Sequence, residues 1–297
     1  MTTGKRLYIL LALASSLAAC SLQSRKPEPS TSEGMAKQAG ADIDEMVAED
    51  GGESSGGNSS SGQIAPPTGE SVTGEAKYQA LSQALRAGRG RAIVEEAAKI
   101  LGTNSTDPVA LNALALDHLR QGRTGAARLL LVRALEKNPT NPSLLNNMAV
   151  IDLQENEQGA AIAGFKKALK EDDSHPQASA NLGSIYVRGG DFARAVSLLE
   201  SPYRSGKLNA AAINAYAVAL RANGDLDRAK RIYEDLIKRD ARDVAAHLNL
   251  AVLLIDFMNK PKDGLALVYK VKFLETDRRD VQAKANALEK KAKAALQ

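Results

Sequence analysis

Apolar and polar residues alternate with a helical period along most of this chain. Spacings of three and four residues link Leu111, Leu114 and Ala115, and the same spacing links Leu130 with Ala134. Such spacing places the apolar side chains on one face of an α-helix. The pattern therefore predicts a series of short amphipathic helices.

The helical pattern returns every 34 residues. Six units begin at Gly74, Pro108, Pro142, Pro176, Ala210 and Val244. At three positions of the unit, most units carry residues of similar size. The eighth is small after the first unit: Leu81, Ala115, Ala149, Gly183, Ala217 and Ala251. The twentieth is mostly small: Ile93, Ala127, Ala161, Ala195, Ala229 and Gly264. The twenty-fourth is mostly large: Ala97, Leu131, Phe165, Leu199, Tyr233 and Val268. In the sixth unit the last two columns hold only if the register slips by one residue. A fixed period of this length is typical of a stacked repeat array.

Turn signals divide each unit into two helices. Gly-Gly-Asp at 189–191 and Asn-Gly-Asp at 223–225 lie between helices, and Asn141-Pro142 joins two units. Proline suits the first turn of a helix and restricts the residue before it. A small residue facing a large one lets the two helices of a unit pack closely. We therefore predict an all-α array of about six helix-turn-helix units.

Three segments resemble the tetratricopeptide repeat (TPR). They are Leu-Asn-Asn-Met-Ala at 145–149, Ala-Asn-Leu-Gly-Ser-Ile-Tyr at 180–186 and Arg-Ala-Leu-Glu-Lys-Asn-Pro at 133–139. The resemblance implies a right-handed superhelix over residues 74–277, with a closer match at 108–243 than in the end units. Residues 278–297 then form a capping helix, whose apolar stripe is Val281, Ala285, Leu288 and Ala292.

The same resemblance implies a binding groove. In a TPR superhelix the first helix of each unit lines the concave face. The residues that fall there are Asn112, Leu116, Leu119, Asn146, Asn147, Val150, Leu153, Asn181, Val187, Asn214, Val218, Arg221, Asn249, Val252 and Ile255. We expect an apolar floor that the repeat core does not need, and a row of amides that pair with a partner's backbone. Alternatively, the asparagines serve helix packing as consensus residues.

The front of the chain carries a secretory signal. Lys5-Arg6 is followed by an apolar stretch over residues 7–13 and then by Leu17-Ala18-Ala19-Cys20. This order is that of a cleaved signal peptide, here residues 1–19. Leu-Ala-Ala-Cys resembles the bacterial lipobox, and Cys20 is the only cysteine in the chain. The resemblance implies acylation of Cys20, palmitate included. Ser21 fits sorting to the outer membrane. The alternative is a soluble exported protein.

The composition of residues 20–73 predicts a tether. They are rich in Ser, Gly, Glu and Pro, a composition that cannot bury a core. A flexible chain of this length spans roughly 40 Å. Ile43, Met46 and Val47 are either an unremarkable part of the tether or a docking motif. Residues 1–73 hold five Lys/Arg and nine Asp/Glu, whereas the remainder holds 34 and 26, so the array is the basic part.

Catalytic and cofactor chemistry find no support in the sequence. His118, His175 and His247 have no second His or Cys at ligand spacing, so we expect no metal site. No carboxylate pair or nucleophile arrangement stands out, and we expect neither an enzyme nor a cofactor. Aromatic residues make up 4% of the chain and no groove-reading motif occurs, which disfavours nucleic acid as a partner.

These features predict a membrane-anchored scaffold for protein–protein interaction. The layout is similar to that of TPR lipoproteins of gliding motility and pilus assembly, so we expect a partner from an envelope-spanning machine. The array would then lie in the periplasm, anchored to the outer membrane through acyl chains on Cys20. The alternatives are an adaptor that recruits cell-wall hydrolases or proteases and an enzyme or ligand-binding protein of the wall. The sequence selects neither the partner nor the oligomeric state.

Overall fold

The computed structural model describes residues 76–275 and 277–297. These residues form thirteen α-helices and no strand. The helices are α1 (Ala76–Arg86), α2 (Gly90–Thr103), α3 (Pro108–Arg120), α4 (Thr124–Lys137), α5 (Pro142–Gln154), α6 (Gln158–Glu171), α7 (Pro176–Arg188), α8 (Phe192–Arg204), α9 (Ala210–Ala222), α10 (Leu226–Arg239), α11 (Val244–Val252), α12 (Pro261–Leu274) and α13 (Arg279–Ala294). A π-helical segment, Leu253–Phe257, continues α11.

The helices stack as six consecutive pairs followed by one further helix. Each first helix packs on the second helix of its own unit, and from α3 onward also on the second helix of the unit before. The last helix, α13, packs on α12. It buries Val281, Ala285 and Ala292 against that neighbour, with Leu288 partly buried beside them. The predicted all-α fold of six units and a capping helix is confirmed.

The three repeated columns form the interior of the array. All eighteen residues of these columns are buried. Gly183 shows why the eighth position is small, because a Cβ placed there would lie 2.7 Å from Cγ of Leu199. The predicted packing of a small residue against a large one is thus confirmed in this unit.

The register slip in the sixth unit has a structural cause. Within the segment Leu253–Phe257 the hydrogen bonds run from residue i to i+5, and the Met258 N–H donates to the Leu253 carbonyl at 3.0 Å. A π-helical turn accommodates one residue more than an α-helical turn. Gly264 and Val268 are consequently buried at the slipped positions.

The turn inside each unit contains a residue with positive φ. At 34-residue intervals these residues are Gly88, Gly122, Asn156, Gly190 and Gly224, and after the π-helical segment Asn259 follows. Glycine adopts this left-handed conformation without strain, and asparagine tolerates it better than most residues do. The first unit keeps the same turn at Gly88 although its sequence is atypical.

The N-terminal predictions lie outside the described residues. This applies to Cys20, to the signal peptide (residues 1–19), to the tether (20–73) and to its apolar residues Ile43, Met46 and Val47. Within residues 76–275 and 277–297, no helix has the length and apolar character needed to cross a membrane.

Candidate functional site

The residues predicted to line the groove lie inside the array. All of them except Leu153, which is half-buried, are buried. Val150 packs in a cluster with Phe165 and Leu182, and Val218 belongs to the largest core cluster. The expectation that the repeat core does not need the apolar floor is therefore wrong. The buried apolar members are Leu116, Leu119, Val150, Val187, Val218, Val252 and Ile255.

The physical reason is that each first helix contacts neighbours on several sides. It meets the second helix of its own unit and that of the unit before it, and α9 additionally contacts the first helices α7 and α11. Little of its surface is left for solvent. Whether the predicted groove residues contact a partner stays a prediction.

The amides of the first helices bond to one another across the units. We call the six residues Asn112, Asn146, Asn147, Asn181, Asn214 and Asn249 the asparagine ladder. At three junctions the side-chain Nδ2 of an asparagine donates to Oδ1 of an asparagine in the unit before. The bonds run from Asn147 to Asn112 at 2.9 Å, from Asn181 to Asn146 at 3.0 Å and from Asn249 to Asn214 at 2.8 Å. Asn146 also donates to Asn147 at 3.0 Å. These bonds support the packing interpretation of the asparagines, because buried amides need partners of this kind.

The ladder is interrupted between α7 and α9, the fourth and fifth first helices. The bonded asparagines of neighbouring units are 35 residues apart, and at this junction the residues with that separation are Ala180 and Ala215, which are both buried. Here α7 and α9 pack directly on each other. Small side chains let the two helices approach without an amide pair between them.

Arg221 has more buried polar atoms without a hydrogen-bond partner than any other described residue. Its side chain, in the last turn of α9, is 1% exposed. Nε and both terminal guanidinium nitrogens have no hydrogen-bond partner among the described residues. The ring of Phe257 lies 5.3 Å from the guanidinium carbon, which provides a cation–π contact. A buried guanidinium with unused donors is costly, so this position is unusual for a residue that serves packing alone.

Several other buried polar groups of the fifth and sixth units lack partners among the described residues, and two of them are relevant here. They are the hydroxyl of Tyr233 and Oδ1 of Asn249. Burial raises the pKa of Tyr233 to about 12, while the charge of Arg221 acts in the opposite direction. The hydroxyl therefore stays protonated and can donate. The Arg221 nitrogens and the Tyr233 hydroxyl are donors, and Oδ1 of Asn249 is an acceptor.

A further column with a 34-residue period was not recognised from the sequence. Each first helix from α3 to α11 begins after a capping residue whose side chain accepts a backbone N–H. These residues are Asp107, Asn141, His175, Asn209 and Asp243. Asp, Asn and Ser are preferred at this position, whereas histidine is unusual. The spacing alone could have identified the column.

His175 therefore has a structural function. Its Nδ1 accepts the N–H of Ala178 at 3.2 Å, and its Nε2 lies 3.2 Å from Oγ of Ser143. Because Nδ1 must accept, the ring is neutral and carries its proton on Nε2. Burial lowers the pKa of His175, with the Asp172 carboxylate acting against that shift. The His247 ring is buried as well, and burial lowers its pKa also.

No metal centre is found in the part of the chain that the structure describes, where no three His, Cys, Asp or Glu side chains come together. His118, His175 and His247 lie in separate units.

Comparison with known families identifies the repeat. Models of the tetratricopeptide repeat match residues 112–176 and 147–207, and another match covers residues 210–253. The helix pairs that these matches cover are tetratricopeptide repeats. TPR arrays are scaffolds for protein–protein interaction, and this array has the same architecture.

Solved TPR structures share the fold at low sequence identity. A tetratricopeptide repeat protein from Parabacteroides merdae ATCC 43184 is 19% identical, with a TM-score of 0.50 over 76% of this chain and 94% of that one. YrrB, described as a TPR protein with an unusual peptide-binding site, is 17% identical, with a TM-score of 0.53 over 64% and 97%. MamA from Desulfovibrio magneticus RS-1 is 19% identical, with a TM-score of 0.50 over 58% and 97%. No curated protein sequence matches the chain significantly.

Proposed function

We propose that this protein is an outer-membrane lipoprotein whose TPR array holds a partner of an envelope-spanning machine, in gliding motility or pilus assembly. The Leu-Ala-Ala-Cys sequence ending at Cys20 supports the anchor, and residues 20–73 supply the reach. The array supplies a rigid surface in the periplasm. Its mechanism is passive: the scaffold positions a partner and does no chemistry.

The unpaired groups around Arg221 carry the proposal that a partner segment binds on the concave side. The apolar floor is part of the repeat core, whereas these buried polar groups are not satisfied within it, and a partner would reach them only when the side chains that cover Arg221 move aside. The Arg221 nitrogens and Oδ1 of Asn249 have hydrogen-bonding capacity that the described residues leave unused. A partner's carboxylate or backbone would use it. A TPR protein with a peptide-binding site, YrrB, offers a precedent for such an occupant.

The test is crosslinking and pull-down from intact cells with the wild type and Arg221→Met. Methionine fills the space without the charge, so it removes the cost of the unpaired guanidinium. We expect this variant to unfold at the same or a higher temperature than the wild type, and yet to lose the partner. A residue whose removal stabilises the fold while it impairs binding serves function.

The matched control is Arg239→Met, since Arg239 is exposed in the last turn of α10. This variant should capture the partner as the wild type does. Unchanged capture by Arg221→Met would refute the proposed site. Recovery of wall hydrolases instead of motility or pilus components would replace the proposed machine by the adaptor function.

The anchor is tested separately with Cys20→Ser. The variant should lose incorporation of labelled palmitate and leave the outer-membrane fraction, because each buried CH₂ of an acyl chain contributes about 0.8 kcal/mol to anchoring. Retention in that fraction without the label would show that Cys20 is not the anchor.

A further inference from the structure

The outer face of α12 carries the most exposed large apolar side chain of the described residues. Phe273 is 83% exposed and Tyr269, one turn earlier, is 47% exposed. The opposite face of α12 buries Gly264, Val268 and Val271 in the array. The helix therefore carries large apolar side chains on its outer side as well, and these are largely exposed. An apolar face without a partner marks a contact surface.

Comparison with the other units shows that this face is a departure from the repeat. One position earlier in register, to allow for the π-helical slip, the residues that correspond to Phe273 are Gly102, Glu136, Lys170, Arg204 and Lys238. Four of these residues are charged, and the remaining one is glycine. The column is a solvated outer face everywhere else. A lone aromatic residue in it does not serve the stacking of the array.

The surroundings of this face are basic. Lys262 and Lys270 lie on the same exposed stripe of α12 as Tyr269 and Phe273, at spacings of three, four and seven residues. Lys293 of α13 interacts with the Glu289 carboxylate and, more weakly, with the Tyr269 side chain, and both interactions raise the pKa of Lys293. Residues 261–297 contain nine Lys/Arg and five Asp/Glu. We call Lys262, Ala266, Tyr269, Lys270 and Phe273 the aromatic stripe.

These observations select among three occupants. A second copy of the chain would bring like charges face to face, which opposes association. A peptide needs a groove for burial, whereas the stripe runs along a single exposed helix. An anionic lipid surface accepts aromatic rings at the level of its headgroups and binds lysines through its phosphates. Lysine stems can lie along the apolar surface while their ammonium groups reach the phosphates.

We propose that the aromatic stripe docks the C-terminal end of the array on an anionic membrane surface. Phe273 and Tyr269 enter the headgroup region, and Lys262 and Lys270 contact lipid phosphates. This contact is independent of the acyl anchor proposed above. It would fix the orientation of the array relative to the membrane.

The chain contains no tryptophan, which permits a site-specific test. Phe273→Trp in the full-length chain places a single indole on the stripe. Leu129→Trp, at a position that is 74% exposed on α4, is the matched control. The N-terminal apolar segment is the same in both variants, so emission reports only the labelled position. Vesicles of phosphatidylcholine with and without phosphatidylglycerol are the probe.

We expect the anionic vesicles to shift the emission of Phe273→Trp to shorter wavelength, and brominated lipid to quench it, while Leu129→Trp is unaffected. Lys270→Gln in the Phe273→Trp background should raise the half-saturating lipid concentration about fivefold, since a lysine near an anionic surface contributes about 1 kcal/mol. Lack of a shift, or equal shifts in both variants, would overturn the proposal. A shift that depends on protein concentration without vesicles would instead indicate self-association and would also overturn it.

Discussion

The histidine cap at the start of α7 makes the stability of the array depend on pH. His175 is 3% exposed, and it caps the helix only while Nδ1 is free to accept the Ala178 N–H. Protonation of the ring converts Nδ1 into a donor and abolishes the cap. His175→Asn removes the titrating group and keeps a cap, because Asn141 and Asn209 occupy the same column in neighbouring units.

The sign and size follow from proton linkage. Above pH 6.5, the ordinary pKa of histidine, the ring is neutral in both states and the stability is full. As the pH falls below 6.5 the unfolded chain takes up the proton first, because burial lowers the pKa of His175 in the folded protein. Stability is therefore lost toward acid pH. At pH 5 the loss has an upper limit of about 2 kcal/mol if the folded ring stays neutral.

The assay is thermal unfolding of the wild type and His175→Asn between pH 8 and pH 5. For a chain of this size each kcal/mol corresponds to about 2–4 °C. We expect similar midpoints at pH 8 and a widening gap toward pH 5, with the variant more stable. His247 shifts in the same direction in both proteins, so only the difference between them reports on His175. Parallel pH profiles would refute the assignment of His175 as a neutral cap.

Three further substitutions test the packing of the array. Val150→Glu should abolish helical circular dichroism or lower the free energy of unfolding by about 3 kcal/mol or more, because the carboxylate would be buried without a partner. Unchanged stability would show that Val150 is exposed and not part of the core. Asn156→Gly should raise the free energy of unfolding by about 0.5 kcal/mol, since φ is 63° there; chemical denaturation measures it, and a decrease would contradict the turn assignment. Gly264→Ala should lower it by about 1–3 kcal/mol because the new Cβ would lie 2.4 Å from Cγ1 of Ile255. Gly125→Ala, with nothing within 4 Å, is the control and should be neutral or stabilising.

The sequence predicted the fold well because the same pattern of small and large residues recurs in several units. Small residues such as Ala149 and large ones such as Phe165 recur in fixed columns, and a single period fixes the helices, their pairing and the core. Even the slip before Gly264 was visible as a shift in register. Its cause, a π-helical turn, was not visible, because no residue type marks one.

The candidate site was predicted less well, since burial depends on how closely neighbouring units approach. The column that holds Val150 and Val218 follows the family pattern of a concave face, but the packing of each first helix on several neighbours covers it. The bonds between Asn147 and Asn112 also depend on geometry that no spacing reveals. The sequence predicted Arg221 as a groove residue from its position in the repeat. Only the structure shows that its charge is buried without a hydrogen-bond partner among the described residues.

Photo-crosslinking in intact cells tests the central claim most directly. A photoreactive residue at Ser184, half-buried in the column that holds Val150, would report on the concave side, and one at Lys166, exposed on α6, on the outer side. The account predicts that a component of the envelope machine crosslinks from position 184 and not from position 166, and that Arg221→Met abolishes the product. Crosslinking from position 166 alone would contradict a concave binding site.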